Sequence, residues 1–130
     1  MNTEDFVTYS QAVALKKLGF NYDCDYCYSE DKELYKYDYY TEYYTGVNID
    51  ISAPTLSQTQ KWFRKEKGLY LMYGMGQDRK NNSKFSWYVT DNHGYIVSDL
   101  ASEVVFNSPE EALSAGITKC IEFLEKIKEL

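Results

Sequence analysis

The residues best suited to chemistry are three thiols and one imidazole: Cys24, Cys27, Cys120 and His93. Cys24-Asp25-Tyr26-Cys27 has the spacing of a metal or redox pair. A structural zinc site wants four thiolate or imidazole ligands, usually from two close pairs, and Cys120 and His93 are far from this pair and from each other in the chain. A redox pair wants a helix N-terminus, where the thiolate is stabilised. This one sits in an alternating segment, Tyr22 to Tyr28, that reads as a strand, where positions 24 and 27 point to opposite faces. Two unrelated thiols are expected, with no metal and no cofactor. His93 falls in a predicted turn, and no serine or cysteine has an activating neighbour. Gly74-Met75-Gly76 opens no helix and lacks the Gly-Lys-Ser/Thr of a phosphate loop. No catalytic residue is assigned, and an enzyme is not expected.

The second candidate is a surface. Asp23 to Gly46 holds eight tyrosines, seven acids and two lysines. Tyr35, Tyr37, Tyr39 and Tyr43 share strand parity, with Asp38 and Glu42 among the residues of the opposite face. Tyrosine combines a large rigid body with a polar tip, which suits recognition. β-Propensity alone also selects tyrosine for one half-buried face, but it does not require Tyr40 and Tyr44 on the other. Acids interleaved with tyrosines suit a basic protein partner. A third set, Trp62, Arg64, Arg79 and Trp87, suits a small-molecule site in which aromatic rings line a pocket and arginine holds an anion.

Charge narrows the partners. The chain of 130 residues carries a net charge of −6, which disfavours nonspecific nucleic-acid binding, because neutralising phosphates needs an exposed basic field. The basic stretch is Thr55 to Lys84, with seven bases and two acids. There is no apolar run of about 18 residues, so no membrane span is expected. The polar, acidic start is unlike a signal peptide. Three cysteines, an odd number, argue against a disulfide framework, so a reducing cytoplasm is expected.

The elements that must position these residues begin with three helix starts of one chemistry. Thr8-Tyr9-Ser10-Gln11, Thr55-Leu56-Ser57-Gln58 and Ser108-Pro109-Glu110-Glu111 each read as a capping box. Helices are predicted from about Tyr9 to Leu18, stopping at Gly19; from about Leu56 to Lys67, stopping at Gly68; and from Pro109 to near the C-terminus, with Leu113, Ile117, Cys120, Leu124 and Ile127 as the apolar stripe and Gly116 a point of close backbone approach. Between helices the period becomes two. Tyr22 to Tyr28 and Leu34 to Tyr39 read as a hairpin around Ser29 to Lys32. Leu69 to Met75, Phe85 to Asp91 and Tyr95 to Ser98 read as a meander, with Gly74 to Ser83 a polar, basic loop and Asp91 to Gly94 a turn. Val104 to Phe106 adds a short strand. The fold class is α+β: antiparallel sheet or sheets with three helices, in the order αββ-αβββ-α. One domain, residues 1–130, fits the length, and a chain of this size buries about two thirds of its unfolded surface. The spacing of the capped helices hints at an αββ duplication.

Three of these segments, EDFVTYSQAVALKKLGF, APTLSQTQKWFRKEKG and SPEEALSAGI, resemble recurring stretches in small proteins encoded by phages and mobile elements of gut Bacteroidetes. The resemblance covers about half of the chain, and omits the tyrosine-rich hairpin and the Gly74 to Ser83 loop. It implies an accessory protein made in the cytoplasm of a bacterial host; it implies no activity and no site residues. The leading expectation is a non-enzymatic protein that binds a host or phage protein through the acidic, tyrosine-rich hairpin. The alternatives are a small-molecule or anion binder near Trp62 and Trp87, and an RNA-binding module. The order of second helix, three strands and third helix matches a double-stranded-RNA-binding domain. That family needs lysines at the start of its last helix, where Ser108-Pro109-Glu110-Glu111 has the wrong sign.

Overall fold

The computed structural model describes residues 2–36 and 51–129, in two compact units that meet in sequence at Thr55 and Leu56. Among the described residues the fold is α+β, with three α-helices and two three-stranded antiparallel sheets. Each unit has its own sheet.

In the first unit, helix α1 (Tyr9–Lys17) starts at a complete capping box. Thr8 Oγ1 accepts from the Gln11 amide at 3.2 Å, and Gln11 Oε1 accepts from the Thr8 amide at 2.8 Å. The helix ends at Gly19 with φ +100°, the left-handed conformation that glycine adopts without a Cβ penalty. Strands β1 (Tyr26–Tyr28), β2 (Leu34–Lys36) and β3 (Ile51–Ser52) pair in the order β2-β1-β3. The hairpin register is Tyr26↔Lys36, Cys27↔Tyr35 and Tyr28↔Leu34. Its turn closes through the Lys32 amide on the Ser29 carbonyl, with Lys32 at φ +65°. Val7, Ala12, Leu15, Cys27 and Ala53 are buried here.

In the second unit, helix α2 (Leu56–Trp62) runs into a π-helical turn, Phe63–Lys67, that ends on Gly68 at φ +68°. The stop at Gly68 is where the sequence puts it, but the last turn is wider than α. Strands β4 (Tyr70–Gln77), β5 (Ser83–Thr90) and β6 (Ile96–Ala101) form a meander in that order. The predicted Gly74 to Ser83 loop shrinks to Asp78–Asn82. The ladder continues through Gly76↔Lys84 and Gln77↔Ser83, because Asp78 closes a tight turn: its Oδ1 accepts from the Lys80 and Asn82 amides, and Asn81 takes φ +64°. Phe106 bridges Phe85 as an isolated pair, in place of the predicted Val104 to Phe106 strand.

Helix α3 (Pro109–Lys128) covers one face of this sheet with Ala112, Leu113, Gly116, Ile117, Cys120 and Ile121. Ile121 joins the stripe and Ile127 leaves it, 50% exposed. A helix of twenty residues is about 30 Å long, and Ile127 lies in its last turns, beyond the buried stripe that ends at Ile121. Gly116 is the point of close approach, but to side chains: a Cβ there would lie 2.6 Å from Leu71 Cδ1 and 3.1 Å from Trp87 Cβ. Both units open with a helix followed by antiparallel strands. The central strand is β1, first in its sheet by sequence, in one unit, and β5, second by sequence, in the other.

Candidate functional site

The acidic hairpin is built on β1 and β2. Asp23, Asp25, Glu30, Asp31 and Glu33 are all exposed. The tyrosines of β1 have packing duties. Tyr28 donates its hydroxyl to the Val7 carbonyl at 2.6 Å and meets the Tyr9 ring edge-on at 5.6 Å. Tyr26 meets the Phe6 ring at 4.8 Å. Burial holds the Tyr28 hydroxyl above its ordinary pKa. Tyr35 is half-buried on β2, opposite Cys27. Tyr37, Asp38, Tyr39, Glu42 and Tyr43 lie outside the described residues. Lys32 at the turn sits over the Tyr9 ring, 5.5 Å from its centroid.

The thiols do not form a pair on one strand. β1 begins at Tyr26, four residues later than expected, so Cys24 precedes the strand and the parity rule does not apply to it. Cys24 is half-buried, with Sγ 3.5 Å from the Tyr22 carbonyl, while Cys27 is buried. Burial first, then the neighbouring Cys27, Asp23 and Asp25, pushes the Cys24 thiol up to about 11. Cys120 is buried in α3 and pushed up by burial to about 12. A thiol held this far above neutrality is a poor nucleophile, because attack needs the thiolate. Among the described residues no three His, Cys, Asp or Glu side chains are grouped to hold a metal ion. His93 is exposed in the β5–β6 turn, where its amide donates to Asp91 Oδ1 at 2.8 Å.

The two tryptophans are core residues of the second unit. Trp62 is 2% and Trp87 5% exposed. Lys67 Nζ lies 5.4 Å from the Trp62 ring centroid, and the Trp87 side chain meets the α3 backbone at Gly116. Arg64 is exposed on the π-helical turn and Arg79 on the β4–β5 turn. The first turn of α3 carries Glu110 and Glu111, with the Glu111 amide donating to Ser108 Oγ. Acids there complement the helix dipole and repel phosphate.

One surface escaped the sequence reading. Met72, Tyr73 and Met75 on β4 are 46%, 48% and 72% exposed. The signal was present: YLMYGMGQ is an eight-residue strand with no charged residue and no proline. Treating its second half as loop concealed that.

Comparison with family models, with curated proteins and with solved structures finds no match in any of the three. No helix among the described residues is long and apolar enough to cross a membrane.

Proposed function

We propose that the chain is a non-enzymatic accessory protein of a phage or mobile element, acting in the bacterial cytoplasm by holding a basic protein partner on the acidic surface of its first unit. The observation that carries this reading is where the charge lies. Met1–Thr55 has ten acidic and four basic side chains, and Leu56–Leu130 has ten of each, so the first unit holds the entire net charge of −6. Its described hairpin acids are exposed. Tyr37, Tyr39 and Tyr43, with Asp38 and Glu42, extend the same composition along the chain. The partner is a host or phage protein with a basic face.

The test uses the full chain as bait in host lysate across a salt series. Attraction between exposed charges is screened beyond about 10 Å at 0.1 M salt, so capture should fall as salt rises. Replacing Glu30→Gln, Asp31→Asn and Glu33→Gln together should weaken capture about tenfold, on about 0.5 kcal/mol for each surface charge. Tyr35→Ser with Tyr37→Ser and Tyr39→Ser should abolish it while unfolding stays cooperative. Capture that withstands both high salt and the three neutralisations would sink this reading.

A further inference from the structure

The outer edge of β4 offers a run of backbone groups, unpaired among the described residues, whose direction is fixed by the bonds on the other side of β5. Trp87 engages Ser102 through both its amide and its carbonyl, and Phe85 exchanges both bonds with Phe106. Trp87 and Phe85 therefore turn their backbone groups away from β4. Their register partners Tyr73 and Met75 turn theirs outward in the same way, and by alternation so does Gln77. Leu71 also faces outward, but its carbonyl accepts from Gln60 Nε2 at 2.9 Å. That leaves Tyr73, Met75 and Gln77 in sequence, and among the described residues no strand lies beside them.

The sheet treats its two edges differently. β6 has a register shift against β5 between Tyr88 and Thr90, and carries Asp99 at φ +66°. A bulge and a charge are devices that block edge-to-edge pairing. β4 has neither: its register with β5 is unbroken over eight pairs and its sequence is uncharged. Identical charges meeting across a two-fold axis would repel, and β4 presents none. The unit that carries it is net neutral, so it adds nothing of its own to the repulsion between two copies.

We propose that the outer edge of β4 pairs antiparallel with the same edge of a second copy of the chain, about a two-fold axis at Met75. This register sets Met75 opposite Met75 and Tyr73 opposite Gln77, uses the outward groups of Tyr73, Met75 and Gln77, and leaves the Gln60 bond to Leu71 intact. At each of these pairs the two residues exchange both backbone bonds. The inference concerns the second unit and does not depend on the acidic surface of the first.

Sedimentation velocity on the full chain over a concentration series tests it. The chain is expected to sediment with the mass of two copies. Met75→Lys sets two ammonium groups opposite one another at a position 72% exposed, so the mass should halve with no change in the circular dichroism spectrum. A second arm needs no change of charge. On a Cys24→Ser background, Met75→Cys should cross-link two chains on oxidation, because residues of a hydrogen-bonded antiparallel pair lie about 5.5 Å apart at Cα, within disulfide range. Tyr73→Cys alone should not cross-link, whereas Tyr73→Cys mixed with Gln77→Cys should. The mass of one chain at every concentration, or a two-chain mass that Met75→Lys leaves unchanged, overturns the proposal. So does a chain that is monomeric alone and pairs this edge with a strand of a different protein.

Discussion

Gly116 shows how a single residue sets the distance between two layers. It has helical neighbours on both sides and no turn to make; its role is to let α3 approach Leu71 and Trp87. Gly116→Ala should therefore destabilise, although alanine favours a helix by about 1 kcal/mol. The added methyl would sit 3.1 Å from both Trp87 Cβ and Cγ, and overpacking costs about 1–3 kcal/mol. A net loss of up to about 2 kcal/mol is expected in urea titrations; a gain would mean that the tryptophan has room to shift. The sequence marks this position through its place beside an apolar stripe. It does not say that side chains, and not backbone, come close, because that depends on which strands lie beneath the helix.

At the scale of elements, the helices were legible because their ends are written in local chemistry. Thr8 and Ser108 each accept from the amide three residues on. Thr8→Ala and Ser108→Ala should each cost about 1 kcal/mol, read as lower denaturation midpoints. The two starts differ in one respect. Gln11 reaches back to Thr8, whereas Glu111 reaches past Ser108 to the Asn107 amide at 3.1 Å. The strands were legible in type but not in extent. Gly74 and Gly76 read as loop residues, yet they lie in β4, where a side chain would be crowded: a Cβ on Gly74 would meet Ser86 Oγ at 2.9 Å, and one on Gly76 would meet Val104 Cγ1 at 3.1 Å. Such crowding comes from residues distant in sequence, so no local pattern reveals it. The candidate sites divide in the same way. The acids of the hairpin are exposed as composition suggests, while burial of Trp62 and Trp87 reflects which elements close over them.

Across the whole molecule, each unit holds a thiol that folding keeps protonated. Cys24 in the first unit is raised from 9.0 to about 11, and Cys120 in the second from 9.0 to about 12. The sign follows from proton binding. Between these values the folded chain holds protons that the unfolded chain has lost, so stability falls as pH rises. The contribution is complete below pH 9.0 and is lost as pH climbs through about 11 and 12. Denaturation midpoints should drop between pH 8.5 and 11, and Cys120→Ala should flatten part of that drop. An unchanged slope in that variant would assign the alkaline limb to other groups. The boundary between the two units carries no local mark: nothing in the composition at Thr55 and Leu56 reads as a linker. Both flanking segments are structured, with Thr55 bridged to Phe6 and Leu56 opening α2.

The uneven charge has a colloidal consequence. Repulsion between molecules in solution comes from net charge, and here it belongs wholly to Met1–Thr55. That unit disperses the neutral, apolar-edged one with which it shares a chain. Near the isoelectric point of about 4.8 that net repulsion vanishes, and turbidity is expected to rise there.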